Sequence, residues 1–203
     1  MKLHRQIRLA AIALGLAYLA VGVSGRAGEK GAVAKIGDKA PKIESVDDEG
    51  KPWKSSSVIG KKTLVLYFYP ADFTGGCTAQ ACGFRDEIEK LNGQNIEVVG
   101  ISGDTAATHK LFKKHHKLNF TLLADEKGEV AKLFGINVGK GGTVKNAGVD
   151  ADGKKIDVTR SSTIERFTVV ITKDGVVGAI DRIKDAGGDA KRILELVKKV
   201  EKN

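Results

Sequence analysis

Two cysteines, one methionine, one tryptophan and three prolines are all that 203 residues contain of these four types. Cys77 and Cys82 stand five positions apart. This is not the Cys-x-x-Cys of thioredoxin-type exchange, which disfavours a protein thiol–disulfide oxidoreductase. A copper-handling protein would want a Met or His beside its cysteines, and Met1 is the only methionine. Aromatic residues make up 5% of the chain, and no basic motif interleaves with them. The net charge of +9 therefore does not argue for nucleic-acid binding. Without residues 1–27 it falls to +5. Gly139-Lys140-Gly141-Gly142-Thr143 lacks the order of a phosphate loop and reads as a flexible loop. His115 and His116 are adjacent, so on a helix they point about 100° apart and do not chelate one ion. They read as a solvated helix end. No cofactor and no metal are expected, and no internal repeat is present.

The first 27 residues carry Lys2, Arg5, Arg8 and Arg26 and no acid. Leu9 to Val23 is an uncharged run of 15 residues. A basic start before a short apolar run reads as a secretory signal, with an uncleaved membrane anchor as the alternative. No cysteine follows the run, so a lipoprotein anchor is excluded. The expected location is outside the cytoplasm, in the periplasm. The expected organisation is a signal or anchor over 1–27, a polar linker over 28–36 and one domain over 37–203.

Within the domain, Thr63 to Tyr69 is an uncharged apolar and aromatic run that reads as a strand covered on both faces. Pro70 ends it. Ala81, Phe84, Ile88 and Leu91 recur at helical spacing, which predicts a helix over 78–91. Strands follow at 96–102 and 120–124. A helix capped by Asp104 or Thr105 runs to His116, and another runs from Asp125 to Phe134. Residues 137–165 are the least legible; a hairpin around Asp152-Gly153 is expected there. A hairpin about Lys173-Asp174-Gly175 and a helix over 189–200 close the chain. The order predicts an α/β sheet with helices on both faces.

Cys77 sits where a Gly-Gly loop becomes a helix. Unpaired N–H groups and the helix dipole favour an anion there, and for cysteine the anion is the reactive thiolate. If Cys77 and Cys82 both lie in a regular helix, their Cα atoms are roughly 8.7 Å apart, beyond the ~7 Å limit for a disulfide. A bond between them requires the first turns to unwind.

Pro70-x-x-x-Thr74-x-x-Cys77 resembles the active-site signature of peroxiredoxins. Tyr67-Phe68-Tyr69-Pro70, Gly76-Cys77-Thr78 and Ala81-Cys82-Gly83-Phe84-Arg85-Asp86 resemble the Q, or bacterioferritin-comigratory-protein, subgroup. Gly37-Asp38-Lys39-Ala40-Pro41, Val99-Gly100-Ile101-Ser102 and Phe120 to Asp125 match it too. The resemblance implies a thioredoxin-like fold with a central mixed sheet. It also implies thiol-dependent reduction of hydrogen peroxide and organic hydroperoxides. Cys77 would be the peroxidatic cysteine and Cys82 the resolving one. Thr74 would hydrogen-bond the thiolate and the peroxide, Pro70 would shield the pocket, and Arg166 would be the active-site arginine. Gln80 and Arg85 would support the network around the site. Thioredoxin or a thioredoxin-like periplasmic protein would be the reductant, and the protein would be a monomer or weak homodimer. A redox sensor on the same fold is the alternative.

Three features depart from the subgroup. Gly75 stands where it usually has proline, which predicts easier local unfolding. The 137–165 stretch is longer and less aromatic. The export signal puts the usual cytosolic reductant in doubt.

Overall fold

A computed structural model describes residues 32–150 and 152–202. The segment read as a signal or anchor lies outside the described residues. Among them, no helix is long and apolar enough to cross a membrane.

The elements run β1 (Glu44–Asp47), β2 (Pro52–Lys54), β3 (Thr63–Phe68), α1 (Gly75–Asn92), β4 (Ile96–Ser102), α2 (Ala106–His116) and β5 (Thr121–Ala124). They continue with α3 (Glu129–Leu133), β6 (Val138–Val149), β7 (Lys155–Ile164), β8 (Phe167–Ile171), β9 (Val177–Arg182) and α4 (Asp189–Val200). Seven strands form one sheet in the order β2-β1-β5-β4-β3-β8-β9. β3, β4 and β5 are parallel; β8 is antiparallel to β3 and β9 to β8. The sheet is therefore mixed, with β3 in its interior.

Every residue of β3 is buried. Alternate side chains point to opposite faces, so the strand feeds two cores. Val65, Tyr67 and Tyr69 meet Phe84 and Leu91 of α1 and Ile193 and Leu194 of α4. Leu64, Leu66 and Phe68 meet Val130 and Ala131 of α3, Phe134 and Ile136. Apolar burial on both faces holds the β3–α1 junction firmly. Gly100 is required there: a Cβ on it would lie 2.6 Å from the Tyr67 ring and hydroxyl.

The structure corrects three expectations. Residues 139–143 are not a loop but part of β6, whose Lys140, Gly142 and Thr143 pair with Ser162, Arg160 and Thr159 of β7. Glycine lowers strand propensity, but the β-branched partner strand supplies the pairing. Gly141 lies so close to β7 that a Cβ on it would stand 2.0 Å from Arg160 O. The helix expected from Asp125 starts at Glu129. Asp125 still serves it, because its carboxylate accepts from the N–H groups of Val130 and Ala131. The stretch expected as a linker is already docked at Ala34, whose N–H donates to Leu133 O at 2.8 Å.

Candidate active site

β3 delivers the chain to Tyr69, whose N–H still donates to Ile101 O. Pro70 has no N–H to continue the ladder, and the chain turns away from the sheet. The turn is pinned from below. The Asp72 N–H donates to Asp104 Oδ2 at 2.9 Å, and the Tyr69 hydroxyl donates to Asp72 Oδ1 at 2.7 Å. His109 Nδ1 lies 2.8 Å from Asp72 Oδ2, and its Nε2 donates to Leu123 O at 3.1 Å. All of these side chains are buried. Phe73 adopts a left-handed backbone, with φ of 58°. Its ring is held edge-on to Phe112, with centroids 5.1 Å apart.

Thr74 is the N-cap residue of α1, but its side chain does not cap. Its hydroxyl donates to Ala71 O at 3.1 Å, so the hydrogen bond expected to Cys77 is not made in this state. The oxygen keeps lone pairs with which to accept. Gly75 and Gly76 open the helix, and both are exposed. Cys77 is its third residue and is 1% exposed. The N–H groups of this first turn have no partner within the helix.

Arg166 joins β7 to β8 and reaches the same point. Its Nη2 donates to Cys77 Sγ at 3.1 Å, and its Nη1 donates to Gln80 Oε1. Gln80 Nε2 in turn donates to Asp189 Oδ2 at 2.8 Å. The guanidinium and the helix N-terminus thus both bring positive charge and N–H donors to the sulfur. Beneath the site, burial and the neighbouring Asp72 and Cys77 hold the Tyr67 hydroxyl far above its usual pKa, so it stays neutral.

The sequence-predicted residues are thus brought together in part. Cys77, Arg166 and Gln80 form one connected group. Pro70 and Thr74 flank it on the loop. Cys82 lies about one and a half turns further along the unbroken α1, half-buried, and both cysteines are free thiols. Arg85 does not join the Cys77 network. It donates from Nη1 to His116 O at 2.8 Å and ties α1 to the end of α2, beside Cys82. His116 is not fully solvated either: its ring packs edge-on against Phe112, with centroids 4.9 Å apart. Burial, His115 and Arg85 hold its pKa below the ordinary value. Sequence reasoning missed Asp72, His109 and Asp189. The sequence offers Asp104 only as a helix cap, and Thr105 fills that role instead.

The AhpC/TSA family matches residues 36–180. The chain belongs to the AhpC/TSA family. It is 49% identical over 147 residues to the chloroplastic peroxiredoxin Q of Oryza sativa subsp. japonica, covering 72% of this chain and 58% of that one. The chain therefore spans less than two thirds of that plant relative's length. A bcp-type relative of Coxiella burnetii is 38% identical over 146 residues, covering 72% of this chain and 87% of that one. The fold matches the crystal structure of peroxidoxin BcpB from Mycobacterium tuberculosis with a TM-score of 0.66 at 28% identity, over 82% of this chain and 97% of that one. It also matches a bacterioferritin comigratory protein of Xanthomonas campestris, described for its alkyl peroxide reduction activity. That match has a TM-score of 0.62 at 25% identity, over 78% of this chain and 92% of that one. These are the thioredoxin-like structures that the sequence resemblance implied. The AhpC/TSA match includes Cys77, Cys82 and Arg166 and ends before Asp189.

Proposed function

We propose that the protein is a thiol peroxidase acting on hydrogen peroxide and organic hydroperoxides. The observation that carries this is the Arg166 Nη2 to Cys77 Sγ hydrogen bond at the first turn of α1. The Cys77 thiolate attacks the terminal oxygen of the peroxide. The S–O bond forms, the O–O bond breaks, and the departing oxygen leaves as water or alcohol after taking a proton. The guanidinium offers donors in a fixed fork, one for sulfur and others for the oxygens in flight. The Thr74 hydroxyl can exchange Ala71 O for the incoming peroxide. Sulfur has lost two electrons and is now a sulfenic acid.

Cys82 then attacks the Cys77 sulfur, forms a disulfide and expels the oxygen as water. The continuous helix keeps the two residues too far apart for this, so the turns from Gly75 to Cys82 must open first. A dithiol finally reduces the bond by exchange. Thioredoxin, or a thioredoxin-like protein in the compartment to which residues 1–27 direct the chain, fits that role. The basic, then apolar pattern of those residues supports export to the periplasm. The names of plant relatives place them in the chloroplast. A monomer or weak homodimer suffices, because both cysteines are on one chain.

One equivalent of hydrogen peroxide added to reduced protein tests the cycle. Both thiols are expected to disappear within seconds with the loss of two hydrogens by mass. Cys77→Ser is expected to stop this. Cys82→Ser is expected to gain one oxygen, as a sulfenic acid trapped by dimedone. Thiols unchanged after minutes would refute the reading.

A further inference from the structure

We infer that Asp189, at the start of α4, is a positioning residue that sets the reactivity of Cys77 through Gln80 and Arg166. It is 109 residues from Gln80 in sequence, yet its buried carboxylate stands directly behind α1. Three donors converge on it. Gln80 Nε2 and the Thr168 hydroxyl each donate to Oδ2 at 2.8 Å, and Arg192 Nη2 donates to Oδ1 at 3.0 Å. Arg192 is held in turn by Asp181.

The pivot is the Gln80 amide. One end of an amide donates and the other accepts, and the two ends have nearly the same shape. Arg166 only donates. An amide that presents its NH2 to Arg166 would push the guanidinium off the sulfur. The Asp189 carboxylate, already the acceptor for Thr168 and Arg192, takes the NH2 end of Gln80 and leaves Oε1 for Arg166 Nη1. The second arm of the fork, Nη2, is then aimed at Cys77 Sγ. Gln80 is fully buried, so water is not at hand to replace Asp189 as the acceptor. Opening of the first turns of α1 carries Gln80 away from Asp189, so the relay exists only in the helical state.

The inference rests on the peroxidase reading only for its effect on peroxide. Its primary readout is the Cys77 thiol titration, followed by the pH dependence of iodoacetamide alkylation in a Cys82→Ser background. Asp189→Ala is expected to move the midpoint up by about one pH unit. It is also expected to slow the reaction with hydrogen peroxide about tenfold. In a Gln80→Ala background the same substitution should change neither quantity further. The exchange Gln80→Glu with Asp189→Asn reverses donor and acceptor. The new carboxylate on α1 would accept from both the new amide on α4 and Arg166, and the midpoint should return to that of the parent. An unchanged midpoint in folded Asp189→Ala overturns the inference. So does an undiminished effect in the Gln80→Ala background. Should Asp189→Ala not fold, the exchange variant decides: a parent-like midpoint supports the relay and a raised one refutes it. A parent protein that ignores peroxide while its thiol titration follows this pattern would count against the peroxidase reading alone.

Discussion

Two polar clusters hold the two ends of the segment from Pro70 to Cys77, and they are built in opposite ways. Behind Asp72, the groups of Tyr69, Asp104 and His109 are buried and bonded mainly to one another. His109 Nε2 faces a carbonyl, so it carries a proton, and Nδ1 faces a carboxylate. Around Cys77, the buried Gln80 and Asp189 serve a half-buried Arg166 whose last donor lies on sulfur. The first cluster closes on itself and anchors a backbone. The second ends on the one atom that can react. Burial alone therefore does not mark a reactive site; what matters is where the chain of hydrogen bonds stops.

Removing one member of each cluster is expected to separate anchoring from reactivity. Asp72→Ala removes the buried carboxylate in contact with His109 Nδ1 and leaves only the more distant Asp104 beside it. It is expected to cost about 3–5 kcal/mol of stability in urea denaturation. Arg166→Gln is expected to reverse the pattern. Peroxide reactivity should fall about 100- to 1,000-fold, while stability falls by only about 1–2 kcal/mol, because buried Gln80 Oε1 loses its donor. Equal losses of stability in the two variants would erase the distinction.

The pH dependence of folding separates the clusters further. Burial lowers the pKa of His109, but Asp72, Asp104 and the Leu123 carbonyl outweigh it and hold the pKa above the ordinary value. A base with a raised folded pKa adds stability that is complete below the unfolded pKa of about 6.5 and is lost as pH rises through the folded value. Asp104 acts in the same direction at lower pH, because burial and Asp72 raise its pKa. Stability is therefore expected to fall as pH rises above about 6.5. The fall should be smaller in His109→Gln. A parallel profile in that variant would assign the slope elsewhere.

The sequence showed one cluster better than the other for physical reasons. Cys77, Thr74 and Gln80 lie within seven residues, and the hydrophobic periods on either side place them at a strand-to-helix turn. β4, α2 and α4 were likewise legible from their periodicity. The buried charges were not. Asp72, Asp104 and His109 meet because β3 and β4 are parallel neighbours and α2 sets His109 against Leu123 of β5. Asp189 follows Gly187-Gly188 and looks like any acidic residue in a first helical turn. Local pattern reports which face of an element is apolar. It does not report which polar side chain the topology will bury, since that depends on contacts 109 residues apart, as between Gln80 and Asp189. The β6–β7 ribbon is half legible: Asp152-Gly153 signals its turn, but its glycine-rich first strand depends on β7.

The smallest effect falls between the clusters, at Gly75. This residue is the first of α1, and its backbone does not use the left-handed region. A Cβ added there meets nothing within 4 Å. Thr74 before it has φ of −90° and ψ of 146°, the extended geometry that a residue preceding proline adopts. Proline at the first helical position gives up no intrahelical hydrogen bond. Gly75→Pro is therefore expected to stabilise the reduced protein by about 0.4–1 kcal/mol, through the lost freedom of the unfolded segment. The same restriction opposes opening of the first turn, while neither anchoring cluster is touched. Attack of Cys77 on peroxide should keep its rate, and the later step that joins Cys77 to Cys82 should slow. Stopped-flow measurement of the two phases, with hydrogen exchange at the amides of residues 77–82, reads both consequences. Slowing of the peroxide phase itself would mean that the Gly75 segment positions Cys77 before reaction, and that the division of labour between anchor and reactive site is not as drawn.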